Sequence, residues 1–392
     1  MKPPIFMLIA GEASGDLLAA ELVKALRSRP GGTGAKFFGA GGSKMAGAGV
    51  DLAFDMTRHA VVGVVEVVKH LGILKQLFDQ LVALAFERRP DVIVCVDFSV
   101  FNHRFARKIH WELEVRRATH GNWKPKIVKF VSPQVWASRA GRARSMAQEF
   151  DLLLAIFPFE KAWYADHAPG MRVEFVGHPM VDRFQIQNSG FKTQNEPPLV
   201  VLLPGSRAGE LKRHLPAMLE ATRIMSAEGN VAFRMVLPGE PLAAQAREQL
   251  GTHSGIEVQT GGLSVALQQA ALAIASTGTV TMECAFFGVP TVTLYKTSWG
   301  TYQIGKRLVK VNSLTMPNLL AGEAVFPEFI QDAATPENIA RAALGLLSDD
   351  ARRDAIRGKL ARVISSLGGP GASARAAQAI WQILDGEAKK SG

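Results

Sequence analysis

The chain alternates short apolar runs with amphipathic stretches along most of its length. Runs such as Ile5–Ala10 and Leu199–Leu203 carry no charge and are followed by Gly or Pro, which is typical of strands buried inside a parallel sheet. Stretches with helical spacing follow them, as in Leu17–Arg27. The runs predicted to be strands are Ile5–Ala10, Lys36–Gly42, Asp91–Asp97, Ile127–Val131, Leu152–Phe157, Val173–Val176, Leu199–Leu203, Ala232–Leu237, Gly255–Gln259, Ala271–Ala275 and Thr291–Tyr295. This repetition predicts an α/β fold.

A polar, turn-rich stretch, 185–198, divides the pattern into two series. A chain of 392 residues is long for one hydrophobic core and sufficient for two. Because each series repeats strand, turn and helix, the sequence predicts two doubly wound, Rossmann-like domains that face a cleft. The first covers residues 1–184 and the second residues 199–365. For residues 366–392 we expect a C-terminal helix that packs back towards the first domain.

The stretch Ala270–Pro290 reads as a buried strand, a turn of small residues and the start of a helix. The turn consists of Ser276, Thr277, Gly278 and Thr279. Its hydroxyls and backbone N–H groups stand where a helix leaves its first donors unpaired, which suits a phosphate. Glu283 follows one helical turn later and can accept hydrogen bonds from a ribose diol. The alternative is that Thr279 is an ordinary N-cap and that Glu283 offsets the helix dipole.

Two further loops carry groups suited to a diphosphate. In Pro204–Arg207, Gly205 allows close approach of the backbone, Ser206 adds a hydroxyl, and Arg207 offers a fork of donors. This loop does not match a Walker A motif, because it lacks the Gly-Lys-Ser/Thr sequence. His178 follows another predicted strand and can reach a diphosphate, although a structural histidine is the alternative.

Carboxylates follow two strands of the first series. Asp97 ends a predicted strand, where a carboxylate can act as general base for a sugar hydroxyl, unless it only caps the next helix. Glu12 and Asp16 lie in the loop after the first strand, at the end where open α/β sheets bind ligands. The alternative for that loop is a well-capped helix without a catalytic role.

The stretch Val61–Phe86 has an apolar helical face that is wider than usual. Its predicted acyl-chain or membrane contacts are Val64, Val68, Leu71, Leu74, Leu77 and Phe78. Lys69, His70 and Lys75 are interspersed, so the stretch is a basic amphipathic segment of the kind that lies on a membrane or lines an acyl-chain groove. A helix buried on two sides is the alternative.

The net charge of +10 calls for an anionic partner. Residues 104–129 hold eight Lys or Arg against two Glu, with Trp111 and Trp123 interleaved, and 306–310 is a second basic group. This combination favours an anionic membrane surface over nucleic acid, although a solvated basic face is the alternative. Two cysteines indicate a reducing, cytoplasmic compartment without a disulfide framework or a cysteine metal cluster. No apolar run is long enough to span a membrane.

Several motifs follow one another along the chain, together with the apolar stretch after Val61. They are GEASGD, FVSPQVWA, FPFEK, GHPMVD, LLPGSRAGE, STGTVTMECAFFGVP and KRLVKVNSLTMPNLLAG. Over residues 5–385 this series resembles the lipid-A-disaccharide synthase family, whose members are two-domain B-type glycosyltransferases. The resemblance implies inverting transfer of 2,3-diacylglucosamine from its UDP donor to the 6-hydroxyl of 2,3-diacylglucosamine 1-phosphate, with release of UDP. It also implies no metal or other cofactor, UDP bound by the second domain, and a peripheral location at the inner face of the inner membrane.

The chain departs from the family pattern at one position that matters. The family usually shows Asp-x-x-Asp-Phe-Asn after the strand, with the second Asp as the implied base, whereas this chain has Val100 there. The base is then Asp97, Glu12 or Asp16, or the activity is lost and the chain only binds a UDP-lipid. A related UDP-sugar glycosyltransferase with another acceptor and a UDP-sugar epimerase are further alternatives. The segment 110–124 resembles an insertion, and the sequence leaves a homodimer open.

Overall fold

The structure of the chain is a computed structural model that describes residues 3–57, 64–117, 121–184, 197–251, 255–298, 300, 302–303 and 311–388. The chain divides into two compact units. Unit 1 contains Met1–Arg183 and Leu367–Gly392, and unit 2 contains Phe184–Ser366. Unit 1 is therefore built from both ends of the chain, whereas unit 2 is one continuous segment.

Unit 1 is built on a parallel sheet in which the described residues form seven strands, in the order β3-β2-β1-β4-β5-β6-β7. The strands are β1 Ile5–Ala10, β2 Lys36–Gly41, β3 Asp51–Asp55, β4 Val92–Val96, β5 Lys126–Phe130, β6 Leu152–Ala155 and β7 Val173–Phe175. Phe6 on β1 lies beside Val92 on β4, and Val96 on β4 lies beside Phe130 on β5. Every residue of β4 is buried, because helices cover both faces of a parallel sheet.

Helices connect successive strands of this parallel sheet, as in other doubly wound folds. They are α1 Ala13–Arg27, α2 Ser43–Gly47, α3 Val64–Arg88, α4 Ser99–Val115, α5 Val135–Ser138, α6 Arg142–Glu149, α7 Glu160–His167 and α8 Met180–Arg183. Their apolar faces pack on the sheet, as Leu81 and Phe105 do against Ile93 and Ile127. The core of unit 1 therefore lies between the sheet and its helices.

Unit 2 repeats the architecture with a parallel sheet of six strands among the described residues, in the order β10-β9-β8-β11-β12-β13. The strands are β8 Leu199–Leu203, β9 Ala232–Leu237, β10 Ile256–Thr260, β11 Leu272–Ser276, β12 Thr291–Tyr295 and β13 Glu328–Ile330. The helices are α9 Ala208–Glu228, α10 Glu240–Leu250, α11 Leu263–Gln269, α12 Val280–Phe286, α13 Met316–Ala321, α14 Pro336–Leu347 and α15 Asp350–Ser366. Leu203 at the end of β8 lies beside Ala275 near the end of β11.

The last helix, α16 Ala372–Ala388, belongs to unit 1. The ring of Trp381 meets that of Phe6 edge to face, with 6.1 Å between their centroids. The side chain of Asp182, after β7, accepts hydrogen bonds from the N–H groups of Gly371 and Ala372 at the start of this helix. The C-terminal segment thus fills part of the core of unit 1 and fixes the loop after β7.

The prediction of two parallel-sheet α/β domains is confirmed. The predicted strands are all present, with ends that shift by one or two residues. Two edge strands, β3 and β13, were not predicted from the sequence. None of the helices within the described residues is long and apolar enough to cross a membrane.

Candidate functional site

The carboxyl end of the unit 1 sheet gathers polar side chains from five loops. All neighbouring strands are parallel, so the loops that follow β1, β4, β5, β6 and β7 leave the sheet at the same edge. These loops carry Glu12, Asp97, Ser132, Glu160 and His178, respectively. This edge is where an open α/β sheet binds its ligands.

Asp97 follows β4 directly and is half-buried. It has a φ of 44°, and the next residue, Phe98, has a φ of 42°, so two consecutive non-glycine residues are left-handed. The Asp97 N–H donates to the Phe130 carbonyl at 2.9 Å, and the Asp97 carbonyl accepts from the Asn102 amide at 2.9 Å and from the Lys129 ammonium. Strained backbone held by several partners is characteristic of functional sites.

The segment between Asp97 and Asn102 contains no second carboxylate. The N-cap of α4 is Phe98 and its side chain makes no capping bond, so Asp97 does not cap this helix. Val100, in the first turn, has a side chain that is 60% exposed and cannot take a proton. The Asn102 side chain is fully buried, and its Oδ1 has no hydrogen-bond partner among the described residues. Asp97 is therefore the carboxylate that this segment offers.

The loop after β1 packs directly on Asp97 and Phe98. A side-chain carbon added at Gly15 would lie 3.7 Å from the Asp97 Cβ, and one at Gly11 would overlap the Phe98 ring at 2.4 Å. Glu12 is exposed at the N-cap of α1.

Asp16 has a different environment from the one we predicted. Its buried carboxylate accepts hydrogen bonds from the N–H groups of Gly42 at 2.7 Å, Lys44 at 2.9 Å and Met45 at 3.0 Å. These bonds satisfy the first donors of α2. We therefore assign Asp16 a structural role in place of the proton transfer considered from the sequence, which leaves Asp97 and Glu12 as candidates.

Glu160 connects the loops after β5 and β6, and the sequence analysis did not single it out. Its buried carboxyl group accepts hydrogen bonds from the Phe157 N–H at 3.1 Å and from the Trp136 indole at 3.2 Å. Burial raises the pKa of Glu160 to about 7, and these hydrogen bonds oppose the rise. The Trp136 ring meets Phe159 edge to face at 5.0 Å. The sequence signal for Glu160 is a carboxylate in the motif FPFEK, a few residues after β6.

His178 is held as a neutral hydrogen-bond donor. Its backbone N–H donates to the Leu367 carbonyl at 3.0 Å, and its Nδ1 accepts from the Met180 N–H at 3.2 Å. Burial, with a smaller contribution from Arg183, lowers the pKa of His178 to about 4. The ring proton of the neutral form is therefore on Nε2, which leaves that N–H for a ligand. His178 belongs to unit 1.

In unit 2, the loop Pro204–Arg207 is fixed by the first turn of α9. Gly205 has a φ of 126°, and an added side-chain carbon would lie 2.5 Å from the Glu210 carboxylate, so glycine is required there. Glu210 accepts a hydrogen bond from the Ser206 N–H at 3.0 Å and one from the Arg207 guanidinium at 3.3 Å. The Arg207 side chain is 76% exposed, so its remaining donors face solvent.

His214, one turn beyond Glu210, ties this loop to the end of β12. Its ring is fully buried, with Nδ1 2.7 Å from the Pro204 carbonyl and Nε2 3.0 Å from the Lys296 N–H. Burial lowers the pKa of His214. The neutral ring therefore donates from Nδ1 to the Pro204 carbonyl and accepts at Nε2 from the Lys296 N–H, and these two bonds fix the loop. The sequence analysis missed His214 because both partners are backbone groups.

The turn after β11 lies next to the Pro204–Arg207 loop, because β8 and β11 are neighbours in register. Ser276 is buried as the last residue of β11, whereas Gly278 and Thr279 are exposed. Thr277 donates its N–H to the Leu294 carbonyl at 3.3 Å. Thr279 occupies the N-cap of α12 without a side-chain capping bond, and Glu283 is half-buried in the first turn. The predicted donor-site residues of unit 2 are thus on adjacent loops.

The apolar face of α3 can be assessed only in part. The side chains of Val64, Val68 and Leu71 lie outside the described residues, and Leu74 and Leu77 are half-buried. Phe78 packs edge to face on Phe101 at 5.3 Å and on Phe105 at 6.0 Å. Phe78 is therefore a core contact in place of the predicted lipid contact.

The basic stretch 104–129 is divided between internal and surface roles. Ion pairs within the chain join Arg107 to Glu149, Lys108 to Glu112 and Lys126 to Asp151, and the Arg107 side chain is exposed. The Trp123 indole donates to the Pro90 carbonyl at 2.9 Å and its half-buried ring packs on Phe86, so part of this side chain is used inside unit 1. Trp111 is 54% exposed. The second basic group, 306–310, lies outside the described residues.

No three His, Cys, Asp or Glu side chains among the described residues converge in a way that would hold a metal ion.

Comparisons with known proteins place the chain in a family. A family model described as Lipid-A-disaccharide synthetase matches residues 5–383. The lipid-A-disaccharide synthase of Solibacter usitatus is 39% identical and covers 98% of both chains. That of Geobacter metallireducens is 38% identical and covers 96% of this chain and 97% of the relative.

Solved structures support the fold. The UDP-GlcNAc 2-epimerase of Neisseria meningitidis bound to UDP-GlcNAc aligns with a TM-score of 0.63 at 10% identity, over 96% of this chain and 99% of that chain. A spinosyn rhamnosyltransferase complexed with thymidine diphosphate aligns with a TM-score of 0.57 at 15% identity, over 96% and 100%. The chain belongs to the lipid-A-disaccharide synthase family and is a glycosyltransferase of lipid A biosynthesis.

Proposed function

We propose that the protein transfers 2,3-diacylglucosamine from UDP-2,3-diacylglucosamine to the 6-hydroxyl of 2,3-diacylglucosamine 1-phosphate, with inversion at the anomeric carbon. The observation that carries this proposal is the pairing of two loops in unit 2, Pro204–Arg207 and Ser276–Thr279, on neighbouring parallel strands. It is supported by Asp97, which occupies the corresponding edge of the unit 1 sheet.

In this proposal unit 2 binds the UDP moiety. The exposed donors of Arg207 bind the diphosphate, and Gly205, Ser206 and the turn after β11 approach it with small side chains. Glu283 accepts hydrogen bonds from the ribose. The epimerase of Neisseria meningitidis, which shares the fold, was solved bound to UDP-GlcNAc, and this lends support to a UDP-sugar.

In the transfer step Asp97 removes the proton of the acceptor 6-hydroxyl. The oxygen then bonds to the anomeric carbon of the donor as the bond to the UDP oxygen breaks, and attack from the opposite side inverts the configuration. The leaving diphosphate gains negative charge, which Arg207 stabilises where that charge develops. The step requires one base and one cationic donor set from the protein and uses no metal in this proposal.

The experiment that tests this function is a UDP-release assay with purified protein. We expect UDP and disaccharide 1-phosphate only when both the diacyl donor and the diacyl acceptor are present. Release of UDP without acceptor would contradict the proposal, and so would epimerisation of a UDP-sugar that lacks acyl chains. Product NMR of the new glycosidic bond checks the inversion.

We also propose that the protein is cytoplasmic and binds the inner face of the inner membrane through one face of α4. Three of the four large apolar side chains that are exposed within the described residues belong to this helix: Val100, Trp111 and Val115. Arg104 and Lys108 share their helical face, and the Lys108 ammonium lies 3.8 Å from the Trp111 ring centroid. Exposed apolar and basic groups on one face suit an anionic lipid surface.

Flotation with phosphatidylglycerol vesicles tests this surface. The Arg104→Gln variant is expected to bind about fivefold more weakly, because a cation near an anionic surface contributes about 1 kcal/mol. Arg362→Gln, which removes an exposed arginine of α15 in unit 2, is the matched control and is expected to bind as the unmodified protein does. Equal loss in both variants would indicate a non-specific charge effect and would contradict a role for α4.

A further inference from the structure

Lys129 is the fourth of the five residues of β5, in the interior of unit 1. Its side chain is 0% exposed, and among the described residues it is the only buried lysine or arginine. In register, its neighbours are Cys95 on β4 and Leu153 on β6. An ammonium group in such surroundings loses its hydration, so the position is costly unless the charge has a specific partner.

The partner of this ammonium is the backbone of Asp97. The Lys129 Nζ donates a hydrogen bond to the Asp97 carbonyl, which also accepts from Asn102. The N–H of the same residue is held by the carbonyl of Phe130, the neighbour of Lys129 on β5. Both polar groups of the left-handed Asp97 backbone are therefore fixed, and β5 supplies one bond to each.

The charged and titratable groups that act on this ammonium come from β4 and its end. Burial lowers the pKa of Lys129 to about 8, while the negative charge of Asp97 acts in the opposite direction. Burial raises the pKa of the Cys95 thiol to about 12, with Lys129 and Glu149 as smaller influences, so the thiol stays neutral. Lys129 is thus charged at neutral pH and begins to lose its proton slightly above it.

A purely structural role does not explain this residue. An apolar side chain of the same length would fill the same space without the cost of removing a charge from water. The ammonium adds a hydrogen bond to the Asp97 carbonyl. No other lysine or arginine among the described residues donates a hydrogen bond to that carbonyl. The function of the residue therefore depends on what that carbonyl holds in place.

We propose that Lys129 is a positioning residue for glycosyl transfer. Its ammonium fixes the Asp97 carbonyl and the left-handed backbone at the end of β4, and thereby sets the direction of the Asp97 carboxylate. The inference rests on the proposed function, in which that carboxylate accepts the acceptor proton.

The test compares Lys129→Met with Lys126→Met in the full chain. Lys126 begins the same strand and pairs with Asp151 at the surface, so its loss is expected to leave kcat unchanged. For Lys129→Met we expect kcat to fall about 100-fold, the effect of a misplaced catalytic group, with KM almost unchanged. Its melting temperature is expected to be equal or higher, because a buried charge has been removed. Loss of stability together with activity, or a normal kcat, would overturn the inference.

The pH profile of kcat supplies a readout that a structural role would not change. The unmodified enzyme is expected to lose activity as the pH rises through about 8, because the neutral amine of Lys129 donates a weaker hydrogen bond to the Asp97 carbonyl than the ammonium does. Lys129→Gln keeps an N–H donor without a titrating charge, so its lower kcat should stay flat between about pH 7 and 9. An alkaline limb that persists unchanged in Lys129→Gln would contradict the proposal.

Asp97→Asn separates this inference from the proposed function. Full activity of Asp97→Asn would contradict the proposed base, and with it the role of Lys129. An inactive Asp97→Asn beside a fully active Lys129→Met would contradict the inference alone. Inactivity of both, with intact folding, supports both.

Discussion

Asp97→Asn is expected to lower kcat by about a thousandfold while the protein folds and binds UDP normally. The amide keeps the size of the side chain but cannot accept the proton of the acceptor hydroxyl, and general base catalysis typically contributes 10²- to 10⁴-fold. Phe130, Asn102 and Lys129 form their hydrogen bonds with the backbone N–H and carbonyl of Asp97, so the substitution of its half-buried side chain leaves these bonds in place. The measurement is UDP release with both diacyl substrates.

Two control variants decide whether another carboxylate is the base. Glu12→Gln is expected to retain most of the activity, and Asp16→Asn is expected to lose stability, because its carboxylate satisfies three N–H groups at the start of α2. If Asp97→Asn were fully active and Glu12→Gln inactive, the base would be Glu12, which lies in the loop that packs on Asp97.

Arg207→Ala is expected to reduce kcat/KM by roughly 10²- to 10³-fold, the usual effect of removing one preorganised donor from a developing charge. Its guanidinium is exposed beside the turn after β11, and only Glu210 pairs with it among the described residues. UDP affinity, measured by calorimetry, should fall in parallel because the diphosphate loses the same donor.

Arg213→Ala is the matched control for Arg207. This arginine is exposed on the same helix, where it donates to the Gly209 carbonyl, and we expect its removal to leave both UDP affinity and kcat/KM nearly unchanged. Normal UDP binding by Arg207→Ala would show that the diphosphate is bound elsewhere.

The architecture was predictable because buried parallel strands leave a clear signature. Runs such as Leu199–Leu203 are apolar throughout, and their ends are marked by Gly, Pro or Ser. The edge strands lack that signature. β3, with the sequence DLAFD, is partly exposed and bounded by carboxylates, and β13 has three residues, too few for any period to appear. Only pairing with a neighbour defines them.

The candidate site could be predicted where a side chain follows closely after its own strand, as those of Asp97 and Arg207 do, and the roles of both residues remain predictions. It was not predictable where the partner is distant in the chain. Lys129 bonds a carbonyl 32 residues away, and His214 accepts from an N–H 82 residues away. Helical period also does not separate core from surface on a wide apolar face, so Phe78 was interpreted as a lipid contact.

The return of α16 to unit 1 has a consequence for the order in which the protein is made. Residues that are translated after the whole of unit 2 supply the Leu367 carbonyl for His178 and the Trp381 ring for Phe6. Unit 2 is continuous and can complete its core while the segment that begins at Leu367 is still in the exit tunnel. Unit 1 is therefore translated first but completes its core last. During synthesis, the part of its sheet that α16 covers remains exposed to solvent as an apolar surface.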